Sequence, residues 1–426
     1  MAIKKLIGSV INQPYLFSVI SKIVGVVLTI IYGAFYNRYL GPSLKGEAAI
    51  IGNYISIISS FACIGMYQAY PYYKKKGEDV FYPFLNTMQT FYTLLLGLAL
   101  IFAIVAPVES NLKVALILVP IQAFIRHINY MVMVENPRKR NISSMLILLM
   151  DIVVVSAFWF GTTATYSNLI IILILQGLIN LGISYSNLGA VFKKMKATFK
   201  LLPKYARFGV IPMITLFLMT INYQVDILML QQFDFITTAQ IGIYSVGVSL
   251  SEKVWLLPDA MKDILLSHLC SKKDNNEVAR VTRLSLFIAA ILVIGVIAFG
   301  KPAIQLLYGV DFIDSYYITV VMLIGVLGMI FYKMVYSFNI SEGHRVISLV
   351  FLGVAAALNV IGNYFLIPVG GIMAAAWCSV ISYTICGLCF LIFFCIKTKT
   401  PIYKMIIPQK EDYATIKAFL KKSSTK

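Results

Sequence analysis

The sequence predicts an all-α polytopic membrane protein, with about twelve transmembrane helices in two six-helix halves. Three observations carry this expectation. Of the 426 residues, 59% are hydrophobic and only 13% charged, against roughly 45–50% and about 25% in a soluble domain. The apolar residues gather in runs of about 20, the length that crosses a hydrocarbon core of roughly 30 Å. The basic residues fall between those runs in strict alternation.

The runs place spans at 15–37, 48–70, 83–106, 112–134, 142–161, 168–190, 207–230, 238–258, 284–301, 316–338, 346–368 and 372–396. Each is read as a helix, because backbone polar groups in lipid must be satisfied within the segment. Residues 1–13 are a short basic amphipathic start that leads directly into the first span, without the pattern of a cleaved signal peptide. With the N-terminus in the cytoplasm, 28 of the 36 Lys and Arg fall in inside segments, four in outside loops and four within spans. A wrong span count would scramble that alternation. Both termini are therefore expected in the cytoplasm. The net charge of +18 is then topological and needs no nucleic acid as a partner.

The longest basic connection, residues 192–207, lies between the sixth and seventh spans. It divides the chain into two six-helix halves, 1–198 and 199–400, in the manner of transporters built from paired repeats. Residues 401–426 form a basic cytoplasmic tail. In it Tyr413, Ile416, Phe419 and Leu420 share one helical face beside Lys417, Lys421 and Lys422, the pattern of an interfacial amphipathic helix on anionic lipid. Every outside loop is short, leaving no room for a catalytic domain there.

Ionisable residues inside spans are expensive, so each is a candidate for function. Four are cations: Lys22, Arg126, Lys253 and Lys333. All lie on the cytoplasmic side of the expected midplane, which suits a cationic cavity that captures a pyrophosphate. Arg binds phosphate through paired donors and Lys through a point charge. The plainer reading is snorkelling of long side chains to the headgroups, which accounts for Lys253 and Lys333 more readily than for Lys22 and Arg126. Three are acids: Asp151, Asp226 and Glu252. Asn222 and Asp226 are four apart on one helix face. These acids and Asn222 are candidates for a gate or for coupling to a proton or sodium ion, with an interhelical hydrogen bond worth about 1 kcal/mol as the plainer reading.

Other chemistry is not signalled. Six cysteines are present. Cys386 and Cys389 have C-x-x-C spacing but sit mid-span, where they read as small packing residues. The three His have no metal-ligand spacing. No phosphate-binding glycine loop, nucleophile elbow or other catalytic motif occurs, so no catalytic residue, metal site or cofactor is expected and the chain is not expected to be an enzyme.

Several local patterns then look familiar. Arg38-Tyr39-Leu40-Gly41-Pro42 with Gly46-Glu47-Ala48 resembles the end of the first helix in Wzx-type polysaccharide flippases. Asp226 to Leu230 and Ile241 to Ser245 resemble their seventh-to-eighth helix region, and Leu307-Tyr308-Gly309 with Asp311-Phe312 the loop before the tenth helix. Asn359, Asn363, Leu366-Ile367-Pro368 and Gly370 to Ala376 resemble the turn between the last two helices. These flippases belong to the multidrug/oligosaccharidyl-lipid/polysaccharide (MOP) exporter superfamily. The resemblance implies two six-helix bundles around a central cationic cavity, working by alternating access in the bacterial cytoplasmic (inner) membrane. It implies carriage of an undecaprenyl-pyrophosphate-linked oligosaccharide repeat unit from inner to outer leaflet for capsule or O-antigen. The implied partners are that glycan substrate, membrane lipids, a polysaccharide polymerase and other assembly proteins. One alternative is a cation-coupled multidrug exporter of the same superfamily, which would want acids in the N-terminal half. Another is a membrane polysaccharide polymerase, which the short outside loops disfavour.

Overall fold

The computed structural model describes residues 14–189, 196, 199–271, 274–409 and 412. The amphipathic tail face at 413–420, Lys4 and Lys5, and Lys193, Lys194, Lys272 and Lys273 lie outside the described residues. Among the described residues the secondary structure is entirely helical. The helices are α1 (Pro14–Ala62), α2 (Ala69–Lys75), α3 (Phe81–Val105), α4 (Ser110–Glu135), α5 (Pro137–Gly161), α6 (Tyr166–Ser186) and α7 (Leu202–Leu230). They continue as α8 (Thr238–Glu252), α9 (Leu256–Ser271), α10 (Asn275–Tyr308), α11 (Ser315–Ser341), α12 (Arg345–Thr398) and α13 (Ile402–Ile406).

By length and composition, eight described helices can cross a membrane, or nine with the bent pair Val24–Ala62 and Met66–Lys75. Two helices hold two expected spans each. α1 breaks at Gly41, with φ 67° and ψ 174°, and α12 breaks at Gly371, with φ 56° and ψ −140°. The expected span 238–258 is shared between α8 and a 3₁₀ turn, Lys253–Trp255. Each of the twelve expected spans therefore falls on a helix or a helical limb. The protein is an all-α polytopic membrane protein. The connection expected at 38–47 shrinks to one residue, because Gly41 alone supplies a left-handed φ and Pro42, which has no N–H to leave unsatisfied, starts the next limb.

The chain forms two compact units. The first holds Met1–Ile243 and Leu307–Asp311. Within it α1 packs on α4, α5 and α7, α3 packs on α4, and α4 packs on α6. One core gathers Cys63, Met66, Tyr70, Phe84, Tyr92, Phe124 and Tyr205, and another gathers Tyr36, Leu40, Ile51, Val155 and Ile172. The sequence division at 198/199 follows the basic connection, whereas this unit runs on through α7. Two glycine contacts hold α7 and the start of α8 against α1. A Cβ on Gly209 would stand 1.9 Å from the Ile64 carbonyl oxygen, and one on Gly242 would stand 2.0 Å from that of Pro42. Only glycine permits such backbone approach.

The second unit holds Tyr244–Leu306 and Phe312–Lys426. Its centre is α11 against α12, where Gly387 would place a Cβ 2.0 Å from the Gly328 carbonyl oxygen. The Trp255 indole N–H donates to the Val326 carbonyl at 2.9 Å. Cys378, Cys386, Cys389 and Cys395 on α12 are free thiols. Near the start of α10 the buried Arg283 guanidinium holds Asp412 by two bonds, Nε to Oδ2 at 2.6 Å and Nη2 to Oδ1 at 2.9 Å.

Candidate functional site

The first unit contains a polar cleft of about 340 Å³. Its main wall is α4, which presents Gln122, Arg126, Asn129 and Met133. That spacing of three and four residues puts all four on one helical face. Arg140 from the first turns of α5 and Asn180 from α6 complete the walls. Ser184 lies between two of the amides, its single hydroxyl proton within donating reach of Asn180 Oδ1 at 3.1 Å or Asn129 Oδ1 at 3.3 Å. Arg140 donates to the Ser144 hydroxyl. Arg126 is half-buried, with Nη1 3.9 Å from Cys63 Sγ. The cleft thus offers two guanidinium groups and several amides, donors whose chemistry is complementary to an oxyanion.

Of the four cations singled out in the sequence, Arg126 alone lines this cleft. Lys22 is exposed on α1. Lys253 and Lys333 belong to the second unit. There Lys333 is buried and donates to both oxygens of Asp259, at 2.8 and 3.0 Å. Its ammonium lies 4.3 Å from the centre of the Trp255 ring, and Lys262 approaches Asp259 from the same helix at 3.4 Å. Lys333 therefore has an internal counter-ion. Glu252 and Lys253 sit at the junction of α8 with the 3₁₀ turn that carries Trp255.

The acids fall in distinct places. Asn222 and Asp226 are both buried on one face of α7, and Asp226 Oδ1 accepts from the Ile227 amide at 2.9 Å. Asp151 on α5 is half-buried, with Oδ1 shielded from solvent and without a hydrogen-bond partner. Tyr32 and Tyr36 on α1 lie within electrostatic reach of it. Gln176 on α6 donates to the Tyr32 hydroxyl at 3.1 Å. An ionisable group placed inside a membrane helix is a candidate for function, and Asp151 is such a group.

Two further groups were not singled out by sequence. Arg140 sits in the run Arg138-Lys139-Arg140, where it reads as a topological charge. Asn129 and Asn180 read as ordinary packing amides. The available signal was that Gln122, Arg126 and Asn129 recur at helical spacing.

Comparison with known proteins gives the fold. No protein-family model and no curated protein sequence matches the chain. Among solved structures, the lipid II flippase MurJ in an inward closed conformation is similar over 92% of this chain and 89% of its own, with a TM-score of 0.69 and 16% identity. An inward-facing multidrug-resistance MATE transporter of the MOP superfamily is similar over 92% and 97%, at 0.60 and 11%. A MOP transporter from Pyrococcus furiosus is similar over 91% and 96%, at 0.61 and 12%. The chain has the fold that these MOP superfamily members share.

Proposed function

We propose that the protein is a flippase for an undecaprenyl-pyrophosphate-linked oligosaccharide, moving the repeat unit from the inner to the outer leaflet of the bacterial cytoplasmic membrane for surface polysaccharide. The observation that supports this reading is the pair of guanidinium groups, Arg126 and Arg140, in the cleft of the first unit. A pyrophosphate carries at least two negative charges, and even one unpaired charge in lipid costs several kcal/mol or more. Two cations in a wet cleft offset that cost at the point of capture. The carrier works by alternating access, with no hydrolytic chemistry of its own. Both termini are cytoplasmic, and the polymerase that consumes the product acts outside.

Asp151 and the buried Asn222–Asp226 face are assigned to coupling and gating. Asp151, with its unpartnered oxygen, is also what favours the second reading, a cation-coupled multidrug exporter. The two readings part at Arg126. An anionic lipid-linked substrate needs that charge, whereas a cationic drug is repelled by it. The test is surface glycan in a flippase-null strain complemented with Arg126→Ala or Arg140→Ala, with immunoblots for protein level. Loss of glycan at normal protein level supports the flippase. Full complementation by both variants refutes it.

A further inference from the structure

A second cavity, of about 630 Å³, lies in the same unit between α3, α4 and α6. Its apolar lining includes Leu96, Pro120, Ile121, Phe124, Leu178 and Leu181. Of its polar lining residues, Gln89, Tyr92 and Thr93 lie along α3, while Tyr185 and Ser186 stand at the end of α6, at one end of the bundle. That is the end toward which Arg126, Met133 and Arg140 also lie, because α4 runs to Glu135 and α5 begins at Pro137. The two cavities share their walls. On α4, Pro120, Ile121 and Phe124 face the apolar cavity, while Gln122, Arg126 and Asn129 face the cationic cleft. On α6, Leu178, Leu181 and Gly182 face the first and Asn180 the second. One pair of helices thus separates an apolar chamber from a site for at least two negative charges. Leu178 is 50% exposed, so the chamber opens at the surface of the unit.

We infer that this chamber receives part of the isoprenoid tail of a polyprenyl-diphosphate-linked substrate while Arg126 and Arg140 hold its diphosphate. The assignment rests on the flippase reading and deepens it by giving the lipid moiety a seat. Charge selects the occupant. A common phospholipid such as phosphatidylglycerol brings a single negative charge to two guanidinium groups, whereas a diphosphate matches them. The lining is mostly apolar and so compatible with a hydrocarbon tail, but a tail arriving from the bilayer already sits in hydrocarbon and gains little by transfer, so the charge pairing at Arg126 and Arg140 anchors the substrate. Gly182 lines the chamber and a Cβ there meets nothing within 4 Å, so a larger side chain at this position is a test of the space.

The experiment is photolabelling of the purified full chain in nanodiscs by a polyprenyl diphosphate that carries a diazirine near the end of its tail. Labelled peptides should contain Thr93 to Leu96 of α3 or Leu178 to Gly182 of α6. Unlabelled polyprenyl diphosphate should compete about tenfold better than phosphatidylglycerol, a difference of roughly 1.4 kcal/mol. Gly182→Phe, and independently Thr93→Phe from the opposite wall, should cut labelling at those peptides about tenfold, whereas Gly182→Ala should leave it intact. Monodisperse elution of each variant controls for folding. Equal competition by phosphatidylglycerol marks an ordinary lipid crevice and overturns the inference. So does labelling that both Phe variants leave unchanged, or labelling confined to other helices. The outcome is separable from that of the flippase test. Labelling that stands while surface glycan proves independent of Arg126 supports the chamber and sinks the flippase. Glycan that depends on Arg126 with no labelling at α3 or α6 does the reverse.

Discussion

At the scale of single residues, charge inside the bundle decides which positions matter. Arg126 lines the cleft with two amides on its own helical face, and its planar fork suits paired phosphate oxygens. Arg126→Lys is expected to retain part of the surface glycan that Arg126→Ala loses, read by glycan immunoblot at matched protein level. Lys333 behaves differently, because Asp259 neutralises it. Asp259→Asn strands a buried ammonium against Trp255 and is expected to cost about 3 kcal/mol, seen as a fall of several degrees in the apparent Tm of the purified protein. Lys333→Met fills the same space without the charge and is expected to cost clearly less. Equal losses in the two variants would argue against the pair as described.

The residues also show what could be read from sequence. Arg126, Asp151 and Asp226 stood out because a charge in an apolar run is costly and therefore conspicuous. Asp259 did not, because it follows the eighth expected span and reads as a solvated turn residue, while α9 carries it back to Lys333. Arg140 was hidden in a basic run whose topological meaning was sufficient on its own. Contacts between residues 74 or more apart, such as Lys333 with Asp259, have no local signature.

At the scale of elements, the twelve spans were legible because hydrocarbon thickness imposes one length on every crossing. Their joints were less so: a one-residue break at Gly41 and a ten-residue loop have similar composition. Elements also carry the clearest titration. Asp412 is fastened to α10 by Arg283, and the Gln409 amide donates to the same carboxylate at 2.7 Å. Burial alone would raise the Asp412 carboxyl. The hydrogen bonds from Arg283 and Gln409, with the Arg283 charge, overcome it and hold the group below the ordinary carboxylate range. A depressed carboxyl contributes stability that is present above its unfolded value, about 3.9, and is lost as pH falls through the folded value. Residues 401–409 should therefore stay fastened at neutral pH and release only in strong acid. A thiol-reactive dye on Met405→Cys, a buried position, should react slowly at pH 7. In Arg283→Ala it should react at pH 7 at least tenfold faster, about 1.4 kcal/mol of lost protection.

At the scale of the whole molecule, the alternation of basic segments predicts an N-in, C-in arrangement. Ser167 and Lys139 are both exposed and lie in connections expected on opposite sides. In a cysteine-free background, Ser167→Cys should react with an impermeant reagent added to intact cells. Lys139→Cys should react only after permeabilisation. The reverse pattern, or labelling of both in intact cells, would overturn the orientation and with it the inner-leaflet direction of capture.

The break at Gly41 has a consequence for how the chain can move. Limbs 14–40 and 42–62 are about 40 and 31 Å long at 1.5 Å per residue, each enough to cross the bilayer, and a single glycine joins them. There is no aqueous loop between them. The two limbs are therefore tethered by a single residue, and neither can move far along the membrane normal without carrying the end of the other. Limbs 345–370 and 372–398, joined at Gly371, repeat the arrangement at the far end of the chain.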